Sequence, residues 1–366
     1  MDLKKVIYLL VIVLLVSGTV LAEEEVEVLN LKDCLKRVVN EHPDLELAKY
    51  NLDEKKMELK KLKLENPENI PEKKLTATKD SLEEAKKDLL DTRIQLALNV
   101  ERKYYQVLKS LQTLESQKRN LEWINKQLDI AQVKFERGLI SKNDLNSLQK
   151  KKKLTAQGIK YASLNLDTAK MEFNIAMGWE LGKKFKFESK EIPYSPIEVD
   201  LAKSVKYAVS NLQSIQEAKD GLADARDNLD LKNNISAAKI EVTQAVHRVQ
   251  RAEINLEKAK KNTVIKVRNT YLNLVQSRDQ VENANWDYQQ AQKDLNALEV
   301  KYKAGMIPLM DLIDGHNTLT EAEIDWIQAI YDYNLAKGNF HLEIGKKRSL
   351  YQQLIDGGKG SGKDDK

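Results

Sequence analysis

Apolar residues return every seventh position over long stretches of this chain. Val100, Val107, Leu114, Leu121, Leu128 and Phe135 make an unbroken heptad, while the positions four further on are mixed, with Tyr104 and Leu111 apolar and Lys118 and Asn125 polar. Such a step predicts one long helix lying along a neighbour. One strong seam beside one weak seam suits a helix packed in a layer or tube rather than an isolated two-stranded zipper. The helix is expected to run from Glu72 to about Arg137, roughly 100 Å at 1.5 Å per residue.

The break at Gly138-Leu139-Ile140-Ser141 predicts a tight turn. Gly138 suits a left-handed C-cap, Ser141 an N-cap, and Asp144 the partner position of a capping box. A return helix to about Met177 carries Leu145, Ile159, Leu166 and Phe173, with Ala162, Ala169 and Ala176 alongside. Upstream, a helix from Asn30 or Leu31 to Leu64 is expected to kink or restart at Pro43, and Pro67 and Pro71 end it.

Adding 167 to these numbers reproduces the pattern without a gap. Val100 falls on Val267, Tyr104 on Tyr271, Gly138 on Gly305, Asp144 on Asp311, Phe173 on Phe340 and Gly178 on Gly345. The second heptad reads Val267, Leu274, Val281, Tyr288, Leu295 and Tyr302, and its turn reads Gly305-Met306-Ile307-Pro308. A helix from Val199 to Leu231 precedes it. The chain is one helical unit used twice. The expected organisation is a signal peptide at 1–22, a first hairpin repeat at 23–180, a linker at 181–198, a second hairpin repeat at 199–347 and a flexible tail at 348–366. Within the linker, Lys184 to Glu188 alternates and reads as one small strand or as plain linker.

Composition agrees with rods. There are 6 Pro and 14 Gly in 366 residues, and charged residues make up 32%, the profile of helices that bury a narrow stripe and solvate the rest. Two lysines before the apolar stretch Val6–Val16, followed by Ser17, Gly18 and Ala22, read as a secretory signal cut after Ala22, with an uncleaved anchor as the alternative. The net charge of +4 is too small and too evenly mixed to argue for nucleic acid. Cys34, the one cysteine, reads as a small buried hydrophobe.

The ordering of these motifs resembles the TolC-like outer membrane efflux family. The resemblance rests on Phe135-Glu136-Arg137-Gly138-Leu139-Ile140 leading to Asp144-Leu145. It rests also on Tyr302-Lys303-Ala304-Gly305-Met306-Ile307 leading to Asp311-Leu312, on the opening Asn40-Glu41-His42-Pro43-Asp44-Leu45, and on the closures Met177-Gly178 and Ile344-Gly345. It implies an all-α fold of duplicated long antiparallel coiled hairpins, a TolC-like helical barrel protomer that assembles as a homotrimer. It further implies adaptor-docking tips at Gly138, Leu139, Ile140, Asp144, Gly305, Met306, Ile307 and Asp311, facing a periplasmic adaptor (membrane fusion protein) and, behind it, an inner-membrane ABC or other transporter. The family places a pair of membrane strands between the ascending and long helices of each half. A membrane strand needs about 9–11 alternating residues, and neither Glu65–Pro71 nor Leu231–Ile235 holds two. No transmembrane β-barrel is expected.

Chemistry of its own is not expected. His42, His247, His316 and His341 lie too far apart in sequence for a metal-ligand spacing, and each reads as a helix-surface residue. No Gly-rich phosphate loop occurs, and no cofactor is implied. The function expected is a passive envelope conduit of an efflux or export system, located in the periplasm or at the cell surface. A non-conducting elongated spacer or interaction protein of the envelope is the alternative.

Overall fold

The computed structural model describes residues 26–65, 70–235 and 237–347; the signal reading at 1–22 and the tail at 348–366 lie outside them. Among the described residues, eight helices and two short strands occur in chain order: β1 (Glu27–Leu29), α1 (Leu31–Glu41), α2 (Pro43–Glu65), α3 (Glu72–Glu136), α4 (Lys142–Ala176), β2 (Phe185–Phe187), α5 (Leu201–Asn211), α6 (Gln213–Asn234), α7 (Lys239–Lys303) and α8 (Leu309–Glu343). The duplication is kept to the residue. The starts and ends of α3 and α4, each moved by 167, are the starts and ends of α7 and α8.

Both long helices have 65 residues, about 97 Å of rod. No rod of that length can bury its own stripe, so shorter helices cover it end to end. On α3, helix α2 lies along the first half and α4 along the second; α6 and α8 do the same for α7. In the half that holds the turns, α3 also touches α8, so the four rods make one layer in the order α4, α3, α8, α7.

The heptad faces inward where expected, then drifts. Val100, Val107 and Leu114 are fully buried, but beyond them Ile124 and Ala131 take over from Leu121 and Leu128, which are half-buried. A straight α-helix rotates by about 20° per heptad against a 3.5-residue step, and the buried row moves to the next column of side chains. The main core gathers near the middle of the rods. Phe173 and Phe187 stand 5.3 Å apart there, and the Tyr104 ring lies 4.2 Å from Phe187. Alternation in 184–188 becomes β2, which pairs in parallel with β1, Leu29 opposite Phe187. Sequence reasoning missed β1, a three-residue strand with no period to read. Cys34 is buried and its thiol is pushed up to about 12 by desolvation.

Four glycines close the helices in left-handed geometry: Gly138, Gly178, Gly305 and Gly345, with φ from 70° to 82°. Each donates its N–H back to the third residue before it, as Gly138 N does to the Phe135 carbonyl at 2.9 Å and Gly305 N to Tyr302 at 2.9 Å. The following N–H reaches one residue further back, Leu139 to Lys134 and Met306 to Lys301. This is the Schellman arrangement, which satisfies orphan carbonyls.

The expected continuous helix from Val199 to Leu231 is in fact two, broken at Leu212, whose ψ of 134° is extended. The cause is packing at the corner. Pro43 breaks α1 from α2 and presses on Gly178, where a Cβ would meet Pro43 Cδ at 2.5 Å. Leu212 plays the same part in the second half, 3.4 Å from the Cβ position of Gly345. Proline announces the first break, whereas no proline marks the second. His42, expected on the surface, is buried at this corner and accepts the Asp44 N–H on Nδ1 at 3.1 Å.

Gly138 and Gly178 share a φ of 70° but differ in surroundings, since a Cβ on Gly138 meets nothing within 4 Å. Gly138→Ala is expected to cost about 1–2 kcal/mol for left-handed backbone alone. Gly178→Ala adds the clash with Pro43 and is expected to destabilise clearly more. Urea midpoints of the two variants read the difference; equal midpoints would contradict the packed corner.

Candidate functional site

The two hairpin turns form one composite tip. Lys134 Nζ donates to Tyr302 Oη at 2.7 Å and sits 4.6 Å over the same ring, so the first turn is held beside the second. Leu139 and Met306 occupy equivalent positions and are the most outward apolar groups, 68% and 76% exposed. Ile140 turns inward onto a small core of Ile124, Ala131, Leu145, Leu148 and Ile313. Ile307 is half-buried.

The turns are not chemically identical. Ser141 and Asp144 make a full capping box: the Asp144 N–H donates to Ser141 Oγ at 3.1 Å, and Asp144 Oδ2 accepts from the Ser141 N–H at 3.1 Å. In the second turn Pro308 takes the place of Ser141 and no side chain caps the helix start. Asp311 is an exposed acid in the first turn of α8, where the helix dipole favours it.

Above the tip, the contact between hairpins carries a row of polar pairs. Ser116 Oγ and Arg119 both donate to Glu323, at 2.6 and 2.5 Å. Asn120 Nδ2 donates to Asn317 Oδ1 at 3.1 Å. His316 stacks on Trp123 with centroids 4.1 Å apart and planes at 17°, its Nδ1 3.1 Å from Asn120 Oδ1. Burial drives its pKa down to about 4. This corrects the surface reading of His316. Among the described residues no group of three or more His, Cys, Asp or Glu gathers to hold a metal, and no helix is long and apolar enough to cross a membrane.

Residues 233–339, all of α7 and most of α8, match the family model described as outer membrane efflux protein. The chain resembles this family in its helical, periplasmic part. The likeness in shape extends to both halves. The Campylobacter jejuni CmeC outer membrane channel superposes with a TM-score of 0.65 at 13% identity, over 90% of this chain and 89% of that one. A membrane protein from Pseudomonas aeruginosa gives 0.67 at 9%, over 88% and 91%. The Vibrio cholerae outer membrane protein VceC gives 0.62 at 10%, over 86% and 96%. No curated protein matches the chain in sequence. At these identities the likeness is one of fold. What sets this chain apart from the family is the far end of the rods, where α2 passes to α3 and α6 to α7 without a membrane-length strand among the described residues.

The His316 seam makes a pH prediction. In the unfolded chain the imidazole titrates near its ordinary value of about 6.5, so the unfolded state takes up its proton first. Stability held above that value is therefore lost as pH falls from 6.5 toward about 4. Denaturation midpoints of the parent chain should fall across this window, and those of His316→Gln should fall less. Parallel curves for the two would contradict a neutral, half-buried imidazole.

Proposed function

We propose that the chain is the helical conduit of an envelope efflux or export system, working as a ring of copies. The observation that carries this reading is a second apolar stripe on each edge helix of the layer. On α4 the buried face is Leu148, Ala162, Ala169 and Phe173, while Leu154, Tyr161, Leu164, Met171 and Ile175 lie exposed on the opposite side. On α7 the buried face is Ala245, Val267, Leu274 and Val281, and Ile240, Ile254, Ile265, Leu272, Trp286 and Val300 lie exposed opposite it. Tyr161 is 66% and Trp286 65% exposed. Exposed apolar rows of this length mark interaction surfaces rather than ordinary solvent-facing helix.

A face opposite the buried one on an edge helix points out of the layer, toward a neighbour. The two stripes sit on different helices, so pairing α4 of one copy with the tip half of α7 of the next, at Leu272, Trp286 and Val300, is a heterologous contact that closes into a ring. Resemblance to the outer membrane efflux proteins supports a ring of three copies and a location in the periplasm or at the cell surface. The ring is passive; the driving force comes from an inner-membrane transporter, reached through a periplasmic adaptor. The composite tip is the docking point, with Leu139 and Met306 as the groups that enter the adaptor and Gly138 and Gly305 keeping the turns narrow enough to fit. Ile140, Ile307, Asp144 and Asp311 hold the turns in shape.

Tyr161→Glu or Trp286→Glu should leave the helix content unchanged by circular dichroism and shift chemically cross-linked material from the ring to single chains; unshifted cross-links would contradict the edge pairing. Gly138→Trp with Gly305→Trp should abolish capture of a co-expressed adaptor while the ring persists. Undiminished capture would overturn docking through the tips.

A further inference from the structure

The end of the rods opposite the tips has its own surface chemistry. Both long helices are 65 residues long and their tips lie side by side. Their starts, Glu72 and Lys239, therefore stand at one level about 97 Å away. Lys87 bridges to Glu217 at 2.9 Å and links the two hairpins on the way to that end. Four aliphatic side chains crown it: Leu64 at the end of α2, Leu231 and Ile235 at the end of α6, and Ile240 at the start of α7. All four are exposed, Leu64 to 72%. The edge pairing of α4 with α7 reaches none of the four, because the 35 residues of α4 span only the tip half of the rod.

Lysines surround this crown. The stretches 60–74 and 230–241 hold Lys60, Lys61, Lys63, Lys73, Lys74, Lys232 and Lys239 against five acids. Lys61 pairs loosely with Glu65 at 3.7 Å and Lys232 with Glu241 at 2.9 Å. Lys60, Lys63, Lys73, Lys74 and Lys239 are exposed and make no ion pair with any described residue. Aliphatic groups at the very end of a rod, ringed by long cationic chains, match a surface whose outermost layer is anionic and whose next layer is hydrocarbon. Lysine stems extend toward headgroups while leucine and isoleucine enter the boundary. A head-to-head contact with a second ring would bring the same lysines against one another.

We propose that this end seats on the surface of an anionic lipid bilayer, as a peripheral contact made without any membrane strand. Each lysine near an anionic surface strengthens the partition roughly fivefold, and a ring multiplies the contact by its number of copies. The inference concerns one end of each protomer and stands whether or not the ring conducts.

The test is co-sedimentation of the full chain with vesicles of phosphatidylcholine alone or mixed with phosphatidylglycerol. Binding should require phosphatidylglycerol and weaken with salt. Lys60→Gln, Lys61→Gln and Lys63→Gln together should lower the partition by roughly two orders of magnitude, and Ile235→Asn with Ile240→Asn should lower it further. Circular dichroism checks that these variants fold, and Leu139→Asn with Met306→Asn at the tips should bind like the parent. Three results would overturn the proposal: no sedimentation with the mixed vesicles, equal binding to phosphatidylcholine alone, or binding unchanged by the far-end substitutions. Tyr161→Glu separates this proposal from the conduit reading, because single chains should still reach the vesicles, more weakly, even where no ring forms.

Discussion

A helix of 65 residues has an apolar stripe that it cannot cover itself, and everything else in this molecule answers that constraint. The stripe on α3 is covered by α2 and α4 laid end to end, and that on α7 by α6 and α8. Two half-length helices on one full-length rod need sharp reversals at both ends and a corner in the middle. The reversals toward the tip are closed by Gly138 and Gly305, and the corners by Gly178 and Gly345. Each of these glycines takes the backbone where a side chain is disfavoured, which lets the next helix begin within a few residues.

The same constraint leaves the edges of the layer unfinished. Within a protomer α4 and α7 each have a neighbour on one side only, yet each is apolar on two. A chain meant to stand alone would solvate the outer rows, and the remaining surface of these helices is indeed rich in lysine and glutamate. Leaving Tyr161, Met171, Leu272 and Trp286 in water is costly unless another copy covers them. The contact between α3 and α8 contrasts with this. It adds the directional hydrogen bonds of Ser116, Asn120, His316 and Glu323 to apolar packing between the hairpins, where Ile313 meets Ile124 and Ala131 near the tip.

Much of this was legible before any coordinates. The heptad from Val100 to Phe135 and its copy 167 residues later specify two long rods, because a seven-residue apolar period has one simple geometric meaning. The turn at Gly138 was readable for the same reason, with the Ser141 and Asp144 spacing adding the cap. The break at Leu212 was not legible: leucine is a good helix former, and no proline or glycine stands there to mark a break. Strand β1 was hidden by its length, and the placement of His316 by the fact that its partners Trp123 and Asn120 lie almost two hundred residues away in the chain. At the tip, the sequence supplied the residues, while their juxtaposition through Lys134 and Tyr302 belongs to the three-dimensional structure.

The edge rows are the point on which the conduit account turns, and the mass of the isolated protein in solution tests them most directly. Sedimentation equilibrium over a range of concentrations should give a species of three chains that persists on dilution. A species of one chain at the highest soluble concentration would contradict the account and would mean that the outer rows of α4 and α7 are covered by something other than a copy of the same protein.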